Sequence, residues 1–156
     1  MLILLACESN STQQPKAENT TSQEQSKEAV NMPQEAAAEK YCFRRTFGAD
    51  SARQDIWEAE LTIDGSKVRG NYNWIPFEKD SGRGSFLGVM DGGIITAIWN
   101  YTIEGSQQKE EVIFKFSEKE LSQKEGQLEE VNGILKLKDP ENAQWSEPMQ
   151  RIDCEE

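Results

Sequence analysis

The stretch Asp91-Gly-Gly-Ile-Ile-Thr-Ala-Ile-Trp-Asn-Tyr-Thr-Ile-Glu104 decides the fold of this chain. It opens on an Asp-Gly turn signal and continues as a run rich in β-branched and aromatic residues. The residues that share one parity along this run are all apolar, namely Ile95, Ala97, Trp99, Tyr101 and Ile103. This alternation predicts a strand that leaves a tight hairpin and buries one face.

An earlier stretch, Asp64-Gly-Ser-Lys-Val-Arg-Gly-Asn-Tyr-Asn-Trp74, repeats the pattern. When Asp64 is aligned with Asp91, Tyr72 falls on Trp99 and Trp74 falls on Tyr101. The repeat predicts that one β-hairpin unit is used at least twice.

Residues 40–156 contain further short alternating segments, separated by polar turns and with hardly any helical periodicity. Neighbouring antiparallel strands of this kind close most simply as an up-and-down barrel, which removes exposed sheet edges. We therefore predict an all-β domain, a small antiparallel β-barrel of about eight strands. Its plan is similar to that of calycins and lipocalins, and a β-sandwich is the alternative.

A change of composition near residue 39 divides the chain. Residues 1–39 contain no aromatic residue, so they cannot build a core, and residues 8–39 are predicted to be a disordered polar linker. The net charge of −11 divides into −4 from residues 8–39, with 6 acids and 2 bases, and −7 from the remainder, with 22 acids and 15 bases. Such an acidic protein has no electrostatic footprint for nucleic acid, whereas a cationic partner is permitted.

The chain contains no histidine. Its absence removes the commonest general base and metal ligand, and it excludes a Ser-His-Asp triad. The acidic residues are scattered without the spacing of a catalytic or metal-binding motif. We predict a protein that is not an enzyme and that uses no cofactor and no metal.

The first seven residues end in Leu4-Leu5-Ala6-Cys7, which resembles the lipobox of bacterial lipoproteins. The resemblance implies a signal-peptide remnant over residues 1–7 and lipidation of Cys7 by acyl chains such as palmitate. Glu8, in place of aspartate, implies the outer membrane, on its periplasmic or surface face. No basic residue precedes the apolar run, so the true start is expected upstream, or the chain is truncated. The alternative is an accidental apolar start with a free or buried Cys7.

With Cys7 assigned to lipid, Cys42 and Cys154 remain as a pair at opposite ends of the domain. An exported compartment is oxidising, so we predict a disulfide that joins the first strand to the C-terminal tail. The linker would act as a tether with a root-mean-square span of roughly 30 Å.

Large rings occupy many of the positions predicted to face inward. These rings either fill a barrel that has few aliphatic residues or line a cup for a small apolar molecule or a glycan. The predicted ligand-binding residues are Tyr72, Trp74, Trp99, Tyr101 and Phe114.

The longest predicted connection, residues 75–82, follows Trp74 and combines apolar with charged residues. Long loops on rigid scaffolds often carry recognition, although an ordinary crossover is also compatible with this one. The predicted protein-recognition residues are Trp74, Phe77, Lys79 and Arg83.

These features predict a monomeric, membrane-anchored extracytoplasmic binding module of unknown ligand. The alternative is an inhibitor of a cationic enzyme that attacks the envelope, because the plan resembles that of the membrane-bound inhibitors of c-type lysozyme. The Ser-Gly-rich and Tyr-Lys-Gly motifs of those inhibitors are not matched in this chain, so the resemblance is one of plan.

Overall fold

The computed structural model of the protein describes residues 38–48, 50 and 52–154, and these form antiparallel β-structure. The predicted lipobox with Cys7, and all but the last two residues of the predicted linker, lie outside the described residues. No helix among the described residues has the length and apolar character needed to cross a membrane. The strands are β1 (Glu39–Phe47), β2 (Asp55–Asp64), β3 (Lys67–Ile75), β4 (Gly82–Asp91), β5 (Ile94–Ile103), β6 (Ser106–Phe116), β7 (Glu120–Glu125), β8 (Leu128–Val131), β9 (Ile134–Leu137), β10 (Gln144–Trp145) and β11 (Met149–Ile152).

Eight of these strands close a barrel. Strands β1 to β6 each pair with the next strand along the chain, and β11 pairs with both β7 and β1 to complete the ring. Every pairing in the ring is antiparallel. The predicted up-and-down barrel is therefore confirmed, and the sandwich alternative is wrong. Strands β8 and β9 form an added hairpin that touches β6 through one parallel pair, and β10 pairs with β7.

The two predicted repeats are both hairpins joined by two-residue turns. Asp64 pairs with Lys67, and Asp91 pairs with Ile94. Gly92 and Gly93 adopt φ values of 55° and 80°, a left-handed conformation that glycine tolerates without steric cost. The aligned residues Tyr72 and Trp99 meet in the interior, where their ring centroids are 5.0 Å apart.

The barrel interior below the mouth is filled by side chains of the predicted inward parity. Phe43, Leu61, Val68, Ile95, Phe114 and Leu121 are all fully buried. Phe114 packs against Tyr72 and Phe86 at ring-centroid distances of 5.3 Å and 5.8 Å. A core this dense leaves a ligand no room at this depth.

Glycines allow neighbouring strands to approach closely on the side of β3 and β4. A Cβ atom on Gly70 would lie 1.9 Å from the Glu60 carbonyl oxygen, and one on Gly84 would lie 2.0 Å from that of Asn100. No side chain can occupy such a position without moving the partner strand, so these residues let the sheet bend tightly.

The predicted disulfide between Cys42 and Cys154 is present, with the two Cα atoms 5.2 Å apart. Cys42 lies on β1 opposite Ile152, the last residue of β11. The bond therefore fastens the strand that closes the barrel to the strand that begins it.

Candidate functional site

One end of the barrel, here called the mouth, gathers the ends of β1, β3, β5 and β7 and the starts of β2, β4, β6 and β11. A cavity of about 190 Å³ opens there, and it is here called the cup. The side chains that line it are Trp57, Tyr72, Trp74, Trp99, Tyr101, Ile103, Glu110 and Gln123. Rings make up most of this lining, and Glu110 supplies its one carboxyl group.

The rings of the cup are held by packing on one another. Trp99 and Tyr101 stack with centroids 3.7 Å apart and planes 11° from parallel, because both project inward from β5. Tyr72, on β3, contacts the edge of Trp99. Both Trp99 and Tyr72 are buried, so the inner wall of the cup is part of the core and is already positioned.

Polar groups hold the two tyrosines in place. The Tyr72 hydroxyl donates to Gln123 Oε1 at 2.5 Å, and the Tyr101 hydroxyl donates to Gln108 Oε1 at 2.8 Å. Burial is the main cause that raises the pKa of Tyr101 to about 12, and it raises the pKa of Tyr72 well above its usual value. Both hydroxyls therefore stay protonated and act as donors to the glutamine side chains.

Glu110 projects into the cup from β6, on the same parity as Val112 and Phe114. Burial raises the pKa of its carboxyl to about 7, although the neighbouring Tyr101 hydroxyl opposes the rise. Among the described residues, no lysine or arginine forms an ion pair with Glu110. The adjacent Glu111 faces outward and pairs with Lys136 on β9 at 2.8 Å.

Arg45 lies beside the cup, and its guanidinium already contacts a ring, a carbonyl oxygen and a carboxylate. Its guanidinium lies over the Trp57 ring at 4.2 Å from the centroid, a cation–π contact. It also donates to the Glu147 carbonyl oxygen at 2.6 Å and lies 3.9 Å from a carboxylate oxygen of Glu125.

The indole N–H of Trp99 is the one buried side-chain polar group without a hydrogen-bond partner among the described residues. A buried donor without an acceptor costs about 1–3 kcal/mol.

A second cavity, of about 330 Å³, lies where the connection between β3 and β4 meets the one between β1 and β2. Its lining includes Phe47, Trp74, Phe77 and Lys79, and the Phe77 amide donates to Asp55 Oδ1 at 2.9 Å. Phe47 and Phe77 remain 68% and 47% exposed. The mouth therefore carries two exposed phenyl rings beside the cup.

Most of the residues predicted to bind a ligand come together in the cup. Tyr72, Trp74, Trp99 and Tyr101 all line it. Phe114 does not, and its assignment to the ligand site is corrected here: it has the right parity but lies one layer deeper, fully buried beneath Tyr72.

Of the predicted recognition residues, Trp74, Phe77 and Lys79 share the second cavity. Arg83 does not belong to that loop: it lies on β4, exposed, opposite Asn73.

The sequence pattern does not predict Glu110 and Gln123 as site residues, because hydrophobic alternation marks inward positions by apolar residues only. Glu110 continues the parity of Val112, and Gln123 continues that of Leu121. Extending each inward run by one pair of residues would have found both.

A larger groove, of about 500 Å³, crosses the outer face of β1 to β4. Within it, Arg44 pairs with Glu58 at 2.6 Å, and Glu60 pairs with Lys40 at 3.3 Å. Asn71, Asn73 and Ser85 add a polar, solvated sheet surface. The groove lies on the outer face of the sheet and lacks the several tryptophan and tyrosine rings of the cup, so the cup is the stronger candidate site.

Comparison of the chain with protein-family models, curated proteins and solved structures gave no match. The function is therefore argued from the cup and its surroundings.

Proposed function

We propose that this protein is a non-catalytic binding module that takes a small organic ligand in the cup at the barrel mouth. The observation that carries the proposal is the cup, a cavity of about 190 Å³ walled by aromatic rings, with few polar groups, at the open end of a filled barrel. Ligand sites are typically concave, largely apolar and preformed, and barrel mouths are a preferred position for them.

The cup supports binding rather than chemistry. The lining contains no histidine, serine or cysteine, and the Tyr72 and Tyr101 hydroxyls, the other groups that could transfer a proton, are held protonated and donate to glutamine side chains. The ring walls instead offer contact area and orientation.

We also propose that the module works outside the cytoplasm, held on a membrane by lipid at Cys7. Two features support this location: the Cys42–Cys154 disulfide, which is typical of oxidising compartments, and the resemblance of Leu4–Cys7 to a lipobox. Lipid attachment would leave the cup in the aqueous phase at the end of the polar tether.

The binding proposal is tested with a panel of small glycosides and small charged and uncharged organic solutes, each compact enough for the cup. Binding is followed by the indole N–H resonances in nitrogen-15 NMR spectra. We expect at least one class of solute to shift the resonances of Trp57, Trp74 and Trp99 together while leaving Trp145 unchanged.

A matched pair of variants localises the binding. Trp74→Ala removes a wall of the cup, whereas Trp145→Ala removes an exposed ring on β10, outside the cup. The ligand should be lost from the first variant and retained by the second. Equal binding by both variants, or no response to any solute, would contradict the proposal.

The exposed Phe47 and Phe77 favour a second candidate, a protein-binding role at the mouth. Exposed rings beside a cavity are common anchors of protein interfaces, and the net charge of −11 suits a cationic enzyme. A c-type lysozyme activity assay tests this role: inhibition by the wild type that Phe77→Ser abolishes would support it, and full lysozyme activity at excess protein would exclude it for that enzyme.

A further inference from the structure

The charges and rings that face the cup indicate which class of ligand it takes, an inference that rests on the proposed binding function. Glu110 lines the cup, and Arg45 and Glu125 lie beside it. Arg45 is matched by Glu125, which lies 3.9 Å away. When Glu110 is ionised, the cup carries one negative charge, and no lysine or arginine among the described residues forms an ion pair with it.

A partly buried carboxylate without a cation is costly, and a ligand that brings a positive charge reduces that cost. Burial among the rings already raises the pKa of Glu110 to about 7, because it disfavours the charged form. A cationic ligand would favour the ionised form and lower the pKa again.

The walls of the cup suit a cation whose charge is spread over alkyl groups. Aromatic faces attract cations through the negative face of the ring, and cages of several rings are the usual site for quaternary ammonium groups. The mouth already contains one such contact, because the Arg45 guanidinium lies 4.2 Å from the centroid of Trp57. Trp74, Trp99 and Tyr101 present further rings around the same cavity.

We infer that the cup binds a small alkylated ammonium cation. The positive group lies among the rings next to Glu110. Two sources share this chemistry, a free solute such as choline and the trimethylammonium headgroup of a lipid.

The decisive experiment compares choline with 3,3-dimethylbutan-1-ol, which has the same shape and hydroxyl group but a carbon atom in place of the charged nitrogen. Both are titrated into the wild-type protein at about pH 8, where Glu110 is ionised, and the indole N–H shifts are followed. We expect choline to bind at least about tenfold more tightly than the neutral isostere.

Two variants test whether Glu110 causes the difference in affinity between choline and its neutral isostere. Glu110→Gln keeps the shape of the side chain and should reduce the choline affinity about tenfold while leaving the affinity for the neutral isostere unchanged. Glu111→Gln, at the next position but on the outer face, should bind choline as the wild type does.

The affinity should also depend on pH through Glu110. The other titratable or charged groups around it are Tyr101 on β5, Tyr72 on β3, Arg45 on β1 and Glu125 on β7. Both tyrosines remain protonated at neutral pH, and Arg45 stays charged. Choline affinity should therefore weaken as the pH falls from about 8 to about 6, and this dependence should vanish in Glu110→Gln.

Vesicle flotation distinguishes the two sources. If the protein binds phosphatidylcholine vesicles but not phosphatidylglycerol vesicles, and if free choline abolishes that binding, the site takes a lipid headgroup. Choline binding without flotation would assign it to a free solute.

Equal affinity for choline and its isostere would overturn the cation inference and leave the small-ligand proposal standing. Failure of choline to bind at any accessible concentration would also overturn it, and the solute panel would then decide the binding proposal separately. Glu110→Gln with unchanged choline affinity would exclude the role assigned to the carboxyl.

Discussion

Replacing Trp99 tests the packing on which the cup is built. The side chain is 4% exposed, stacks on Tyr101 at 3.7 Å and contacts Tyr72 at 5.0 Å. Truncating a buried tryptophan to alanine costs about 3–5 kcal/mol, and each aromatic pair contributes about 0.5–1.5 kcal/mol within that cost.

One effect opposes this loss. Trp99→Ala also removes the indole N–H that has no partner among the described residues, which relieves about 1–3 kcal/mol. The net loss of unfolding free energy should therefore be about 2 kcal/mol, within a range of about 0–4 kcal/mol. Trp99→Phe keeps most of the ring packing and removes the same donor, so it should cost about 1 kcal/mol or less.

Urea denaturation followed by far-ultraviolet circular dichroism measures both losses, and it avoids the change in tryptophan fluorescence that the variants cause. Trp145→Ala is the control, because Trp145 is 38% exposed and lies on β10, outside the barrel ring. If Trp99→Ala costs no more than Trp145→Ala, the assignment of Trp99 to the interior is refuted.

Other positions give further tests. Folding raises the pKa of Glu110 from 4.5 to about 7, so the stability that its protonated form provides is present below pH 4.5 and is lost as the pH rises through 7. The free energy of unfolding of Glu110→Gln should therefore exceed that of the wild type by up to about 3 kcal/mol at about pH 8 and equal it at about pH 4. Glu129→Gln, on the exposed β8, is the control. Gly84→Ala should cost about 1–3 kcal/mol or prevent folding, because its Cβ would lie 2.0 Å from a carbonyl oxygen of β5; an unchanged urea midpoint would contradict the close approach. Cys154→Ser should cost about 2–5 kcal/mol, and a wild type whose stability does not respond to reductant would show that the bond is absent. Palmitate labelling in a bacterial host should require Cys7 and disappear in Cys7→Ser; equal labelling of both would remove Cys7 as the anchor.

Strand alternation was sufficient to predict the barrel and its inward face. The parity of Ile95 and Trp99, and its repetition at Val68 and Tyr72, placed buried residues correctly because every strand in the ring has one face on the core. The two Asp-Gly turns likewise marked both hairpins.

Closure was harder to predict than alternation. Strand β11 completes the ring, but β8, β9 and β10 separate it from β7 in the sequence. No local pattern predicts its pairing with β1. The pair Cys42 and Cys154 was the one long-range signal, because a disulfide requires two Cα atoms to lie close together.

The candidate site was predicted in part, for a physical reason. Parity tells which way a side chain points but not how deep it lies along the barrel axis, so Phe114 was placed in the cup when it lies beneath it. Hydrophobic patterns are also blind to polar residues that point inward, so Glu110 and Gln123 were missed. These are the residues that give the cup its charge and its hydrogen bonds.

The most direct test is the pKa of the Glu110 carboxyl, measured by carbon-13 NMR in the protein with and without choline. A partly buried carboxyl among the rings at the barrel mouth should titrate near a pKa of about 7 when free and at least about one unit lower when the cup is filled by the cation. A value close to 4.5 in the free protein would show that Glu110 faces water, and a raised value that choline leaves unchanged would show that the cation does not bind beside it.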